Sequence, residues 1–133
     1  MDNQCARVLI VDDIPLNVEL LTEMLDGYAI QSALSGQEAL DELSRRPYPD
    51  LILLDVMMLG MDGYEVVRQI RRREDIRHIP VIMVSALDDK QVKKRCLEAG
   101  AEAFISKPIN LPELQVSVRN MLQRGSSTRE GSK

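Results

Sequence analysis

The sequence predicts a doubly wound α/β domain: a parallel five-stranded sheet with helices on both faces. Three observations carry that prediction. Apolar runs alternate with amphipathic stretches five times along the 133 residues, and successive βα units of this kind build a parallel sheet wrapped by its crossover helices. The first, third and fourth runs lack polar alternation, as expected of strands covered on both faces. Helix-start and helix-stop residues fall between the runs.

The elements follow in order. A first strand over 6–11 (ARVLIV) leads to a helix near 15–26. Pro15 stands in the first turn of that helix, where a missing N–H costs little, and Gly27 just past its end suits a left-handed residue. The second strand, 28–33 (YAIQSA), precedes a helix near 36–45. Ser35 followed three residues later by Glu38 marks the start of this second helix. The third strand, 50–54 (DLILL), precedes a helix near 63–73; the fourth, 80–84 (PVIMV), precedes one near 89–99, with Gly100 beyond it. The fifth strand, 102–106 (EAFIS), leads to a last helix near 111–123, with Asn110 and Glu113 in the capping spacing and Pro112 in the first turn. Residues 1–123 are read as one domain, and the polar, aperiodic 124–133 (RGSSTREGSK) as a tail or linker.

Composition narrows the function. With 17 basic and 21 acidic residues the net charge is -4, which argues against direct nucleic-acid binding as the main task. No apolar run approaches the ~20 residues of a membrane helix, and the N-terminus lacks a cationic signal-peptide start. Cys5 and Cys96 show no motif spacing, the pattern of reduced thiols in a cytoplasmic protein.

Chemistry gathers where the strands end. In an open parallel sheet, ligands bind beyond the carboxyl ends of the strands. Asp12 and Asp13 follow the first strand, Asp55 the third, Ser85 and Ala86 the fourth, and Lys107 and Pro108 the fifth. A carboxylate at the rim of an apolar strand is costly to desolvate unless something pairs with it. A cation shared by Asp12, Asp13 and Asp55, together with Lys107, would supply the pairing. Clustered carboxylates that keep several waters suit Mg²⁺, with Mn²⁺ as a substitute. One carboxylate of such a set can act as a nucleophile toward phosphorus, giving an aspartyl phosphate. Phosphoryl transfer then asks for positioning and for neutralisation of the equatorial oxygens. The cation, Lys107, the Ser85 hydroxyl and the backbone N–H groups near Met57 and Ala86 are placed to share that work.

Taken singly, these residues have plainer readings. Asp12–Asp13 alone is an acidic helix N-terminus, Lys107 a solvated lysine and Ser85 a turn residue; it is the common rim that changes each reading. Met57, Met58, Met61 and Met83 read as packing, His78 as a surface residue, Lys93-Lys94-Arg95 as a solvated helix face and Cys96 as a packed thiol.

The motifs VDD (11–13), LLDVMMLGMDG (53–63), SA (85–86) and KP (107–108), in this order and spacing, resemble the receiver domains of two-component response regulators. The resemblance spans roughly residues 5–123. It implies a flavodoxin-like (βα)5 fold with strand order 2-1-3-4-5. It implies that Asp55 accepts a phosphoryl group from a sensor histidine kinase or a histidine phosphotransfer protein. Asp13, Asp55 and the Met57 carbonyl would then ligate Mg²⁺, with Asp12 holding a metal-bound water. Ser85 and Lys107 would contact the phosphoryl group, Ala86 and Met57 would offer backbone contacts, and Phe104 would be the aromatic switch residue. A cis Lys107–Pro108 bond is implied as well. Such a domain turns over no outside substrate. Its output would be a domain beyond Lys133 or a separate effector, and the face of the fourth helix, fifth strand and fifth helix would serve for partner contact or homodimerisation. VDDIPLNVELL (11–21) and HIPVIMVSALDD (78–89) look most like receivers fused to diguanylate cyclases and their single-domain relatives. In one departure, Leu59 stands where the family commonly has proline. That frees φ there and predicts a more mobile loop and an exposed leucine.

Two other classes compete. A phosphatase of the haloacid dehalogenase type carries its nucleophile after the first strand as Asp-x-Asp, which DDI (12–14) does not supply. A constitutive interaction domain would have lost reactive groups, yet all of them are present here.

Overall fold

In the computed structural model, residues 6–87 and 90–131 are described, the last eight of them as backbone only. The alternation is as expected: β1 (Arg7–Val11), α1 (Pro15–Met24), β2 (Ala29–Ala33), α2 (Gly36–Glu42), β3 (Leu51–Asp55), α3 (Gly63–Arg72), β4 (Val81–Ser85), α4 (Lys90–Ala99), β5 (Ala103–Ser106) and α5 (Leu111–Gly131). The strands form one sheet in the order β2-β1-β3-β4-β5, every neighbouring pair parallel. Strand order reverses between β1 and β3, so their carboxyl ends open a crevice between diverging connections.

Successive strand side chains point to opposite faces, and the sheet fills two cores accordingly. Leu9, Val11, Ile52, Leu54 and Met83 pack with Ala39 and Leu40 of α2, Val66, Val67 and Ile70 of α3, and Val92 and Cys96 of α4. Val8, Ile10, Leu51, Leu53 and Ile82 pack on the other face with Leu21 of α1 and Leu114, Val118 and Met121 of α5. All five residues of β3 and of β4 are buried, which explains their uninterrupted apolar runs.

The caps are local. The Ser35 hydroxyl accepts from Glu38 N at 3.0 Å, while the Glu38 carboxylate accepts from Leu34 N at 2.6 Å. Asn110 Oδ1 accepts from Glu113 N at 2.9 Å. Asp62 caps α3 in the same way, accepting from Glu65 N at 3.0 Å. At the opposite end of the sheet Arg71 ties together two connections, α3–β4 and α4–β5. It donates to the carbonyls of Gly100, Arg77 and Ile79 and pairs with Glu102 at 2.8 Å.

Some boundaries differ from expectation. β3 and β4 each run one residue further, to Asp55 and Ser85, because pairing continues through Asp55↔Val84 and Ser85↔Ser106. The last helix does not stop near 123 but continues to Gly131. Apolar periodicity marks where a helix stops burying a face, whereas the i→i−4 ladder can propagate beyond that point. Cys5 and Asp89, the expected first residue of the fourth helix, lie outside the described residues. The Lys107–Pro108 bond is cis, as is Arg46–Pro47.

Candidate functional site

Four strand ends deliver the rim residues. β1 runs straight into Asp12, which is buried, and Asp13, which is partly exposed. Asp55 and Ser85 are the last residues of their strands, so the sheet's own hydrogen bonds fix their backbones; Val56 N donates to Val84 O at 3.0 Å just beyond them. Lys107 follows β5, its N–H donating to Ser85 O at 2.8 Å.

The side chains converge. Asp12, Asp13 and Asp55 each present a carboxylate oxygen, all within 4.8 Å of one another. Lys107 Nζ lies 3.3 Å from Asp12 Oδ2 and 3.6 Å from Asp55 Oδ1. One ammonium against three carboxylates leaves the cluster negative. Asp55 is only 7% exposed, and its pKa is raised to about 6. Burial is the main cause; Lys107 opposes it, Asp12 and Asp13 add to it, and the Met57 N–H bond to the carboxylate opposes it weakly. A cluster made only of oxygen donors, crowded and short of positive charge, fits a hard divalent cation.

Ser85 is fully buried, its Oγ accepting from Leu87 N at 3.0 Å. Ala86 and Leu87 beside it are exposed, as is Met57 next to Asp55. Phe104 on β5 pairs with Met83 on β4 and is half-buried against the core of α2, α3 and α4. It lies on the same strand face as Ser106, which stands opposite Ser85 in register. Every residue singled out for the site in the sequence is therefore at this rim or on the strand beside it.

Four contributors were not read from the sequence. Asn17, in the first turns of α1, donates to Asp12 Oδ2 at 3.2 Å and Oδ1 at 3.4 Å, and Ile14 N donates to Asp12 Oδ1 at 3.0 Å. Gly63 opens α3 against the end of β3: a Cβ there would fall 2.5 Å from the Asp55 carbonyl oxygen. Leu59 is 87% exposed, as expected where proline is absent. Its N–H, which proline would lack, donates to Asp13 Oδ2 at 3.1 Å, so a hydrogen bond takes the place of the fixed φ. The five-residue spacing of Asp12 and Asn17, about a turn into a helix, was a usable signal for Asn17. A backbone amide leaves no signal in sequence.

Comparison with known proteins gives the family and the fold. The profile of the response regulator receiver domain matches residues 8–119. The chain is 44% identical over 118 residues to the response regulator PleD of Caulobacter vibrioides, covering 87% of this chain but 26% of PleD. It is 40% identical over 117 residues to the polar-differentiation response regulator DivK of Brucella abortus, covering 86% of this chain and 94% of DivK. Among solved structures, a putative response regulator from Chloroflexus aurantiacus superposes with a TM-score of 0.85 at 34% identity, covering 90% of this chain and 98% of its own.

Proposed function

This chain belongs to the response regulator receiver domain family, and we propose that within it Asp55 is the residue that accepts the phosphoryl group. The observation that carries the proposal is the meeting of Asp55, Asp12, Asp13 and Lys107 at one buried rim. In the transfer, an Asp55 carboxylate oxygen bonds to phosphorus as the bond from phosphorus to a donor imidazole nitrogen breaks, its electron pair leaving with the imidazole. Lys107, already within 3.6 Å of Asp55, would neutralise a phosphoryl oxygen. The Ser85 hydroxyl, now held by the Leu87 N–H, would turn to another. The Met57 and Ala86 amides complete the donor set. Asp13, Asp55 and the Met57 carbonyl would hold Mg²⁺, or Mn²⁺ in its place, with Asp12 acting through a water; the ion supplies charge neutralisation. Asn17 and the Ile14 amide keep Asp12 oriented for that task.

The domain is a switch, and on this reading its only chemistry is on itself. The donor would be a histidine kinase or histidine phosphotransfer protein, and the compartment the cytoplasm. Among the described residues no helix is long and apolar enough to cross a membrane. The chain spans about a quarter of PleD and nearly all of DivK. Residues 1–123 would be the receiver and 124–133 its connection, leading either to an output domain beyond Lys133 or to a free end with a separate effector. Signal would leave through the surface of α4, β5 and α5, used for a partner or a second copy. The test is incubation with acetyl phosphate and Mg²⁺, read by intact mass. One phosphoryl group should add to wild type and none to Asp55→Asn; equal labelling of the two removes the assignment.

A further inference from the structure

We propose that the backbone amide of Leu59 is a positioning group that holds the Asp13 carboxylate and fixes the β3–α3 loop over the acidic cluster. The bond from Leu59 N to Asp13 Oδ2, 3.1 Å long, joins residues 46 positions apart in the chain. The loop is tied at its two ends, by Val56 N to Val84 O and by Gly63 N to Val56 O, each at 3.0 Å. Leu59 is midway between those ties, just before Gly60 with its φ of +79°. The leucine side chain is 87% exposed, so its own burial does not hold Leu59 in place, although Met58 and Met61 nearby pack against the core. What reaches across to the site is the main chain.

A carboxylate has two oxygens and about four lone-pair sites. The amide occupies one site on Oδ2 and leaves the others for a cation. A hydrogen bond to an ionised acceptor is among the stronger kinds and sets direction as well as distance. Met57 lies two residues before Leu59 on the same loop, so fixing Leu59 to Asp13 also fixes the spacing between two members of the donor set. The inference rests on the metal site proposed above, and its test separates the two.

Mg²⁺ binding to the full chain is measured by calorimetry for wild type, Leu59→Ala, Leu59→Pro and a variant with an ester in place of the amide at position 59. Leu59→Ala keeps the N–H; the ester deletes it and leaves φ free. Hydrogen exchange of the Leu59 amide is followed in metal-free wild type and Asp13→Ala. The ester and proline variants should bind Mg²⁺ about threefold to tenfold more weakly than Leu59→Ala, the size expected for one hydrogen bond. The Leu59 amide should be protected in wild type and lose protection in Asp13→Ala. Equal or tighter binding by the ester variant overturns the inference, and so does an unprotected Leu59 amide. If wild type binds no Mg²⁺ the metal reading fails by itself, and amide exchange still decides the role of Leu59.

Discussion

Replacing Asp55 by asparagine should stabilise the metal-free protein. Asp55 is nearly enclosed, beside two other carboxylates, and its pKa is raised from 3.8 to about 6. At about 1.4 kcal/mol per pH unit, that gap corresponds to about 3 kcal/mol of destabilisation once the group is ionised in both folded and unfolded chains. Relaxation and water entry at a rim lower the figure, so a gain of about 1–3 kcal/mol is expected at pH 7.5. The sign follows from the raised folded pKa: the favourable contribution of Asp55 is fully present below 3.8 and is lost as pH rises through about 6. The advantage of Asp55→Asn should therefore shrink as pH falls through 6 and be gone near 4. The assay is urea unfolding in chelator across that range, followed by circular dichroism. Added Mg²⁺ should narrow the difference by stabilising wild type preferentially. A variant no more stable than wild type at pH 7.5, or a gain independent of pH, would refute the charge-crowding argument.

Three other perturbations probe the surroundings. Gly63→Ala places a Cβ against the Asp55 carbonyl and should cost about 1–3 kcal/mol in urea unfolding; unchanged stability would contradict the close approach of α3 to β3. Met57→Asn puts a hydrogen-bonding side chain beside Asp55 in place of an apolar one. Met57 and Leu87, two residues beyond Asp55 and Ser85, are apolar and exposed, and neither can orient a water by hydrogen bonding. Loss of the phosphoryl group, timed by intact mass, should therefore be slow and the variant faster; equal rates remove the argument. Ser85→Ala removes the hydroxyl that would turn to the phosphoryl group and draw Phe104 inward. Amide shifts induced by a beryllofluoride mimic over residues 85–108 and the flanking helices should shrink; a full response in the variant excludes Ser85 as the link.

Most of the fold was legible because burial on both faces writes itself into composition: LILL and VIMV could hardly be anything but central strands. The rim was legible because Asp12, Asp13, Asp55, Ser85 and Lys107 all follow such strands, and a parallel sheet aligns its carboxyl ends. The strand order came from family resemblance, since periodicity does not say which strands are neighbours. The helical course of 124–131 was missed because RGSSTREG carries no apolar periodicity to mark a helix. Leu59 was read only as a missing proline restraint. Its amide bond to Asp13 is a long-range contact made by main chain, which side-chain identity does not encode. Asp62, by contrast, stands three residues before Glu65, a cap spacing that was there to be read.

The central claim is that Asp55, and not a neighbouring acid, receives the phosphoryl group. Borohydride reduces an acyl phosphate on aspartate to homoserine, leaving free carboxylates untouched. Protein treated with acetyl phosphate and Mg²⁺, trapped in this way and mapped by peptide mass spectrometry, should carry homoserine at position 55 alone. Homoserine at position 12 or 13, or none in protein shown by intact mass to carry phosphate, would contradict the account.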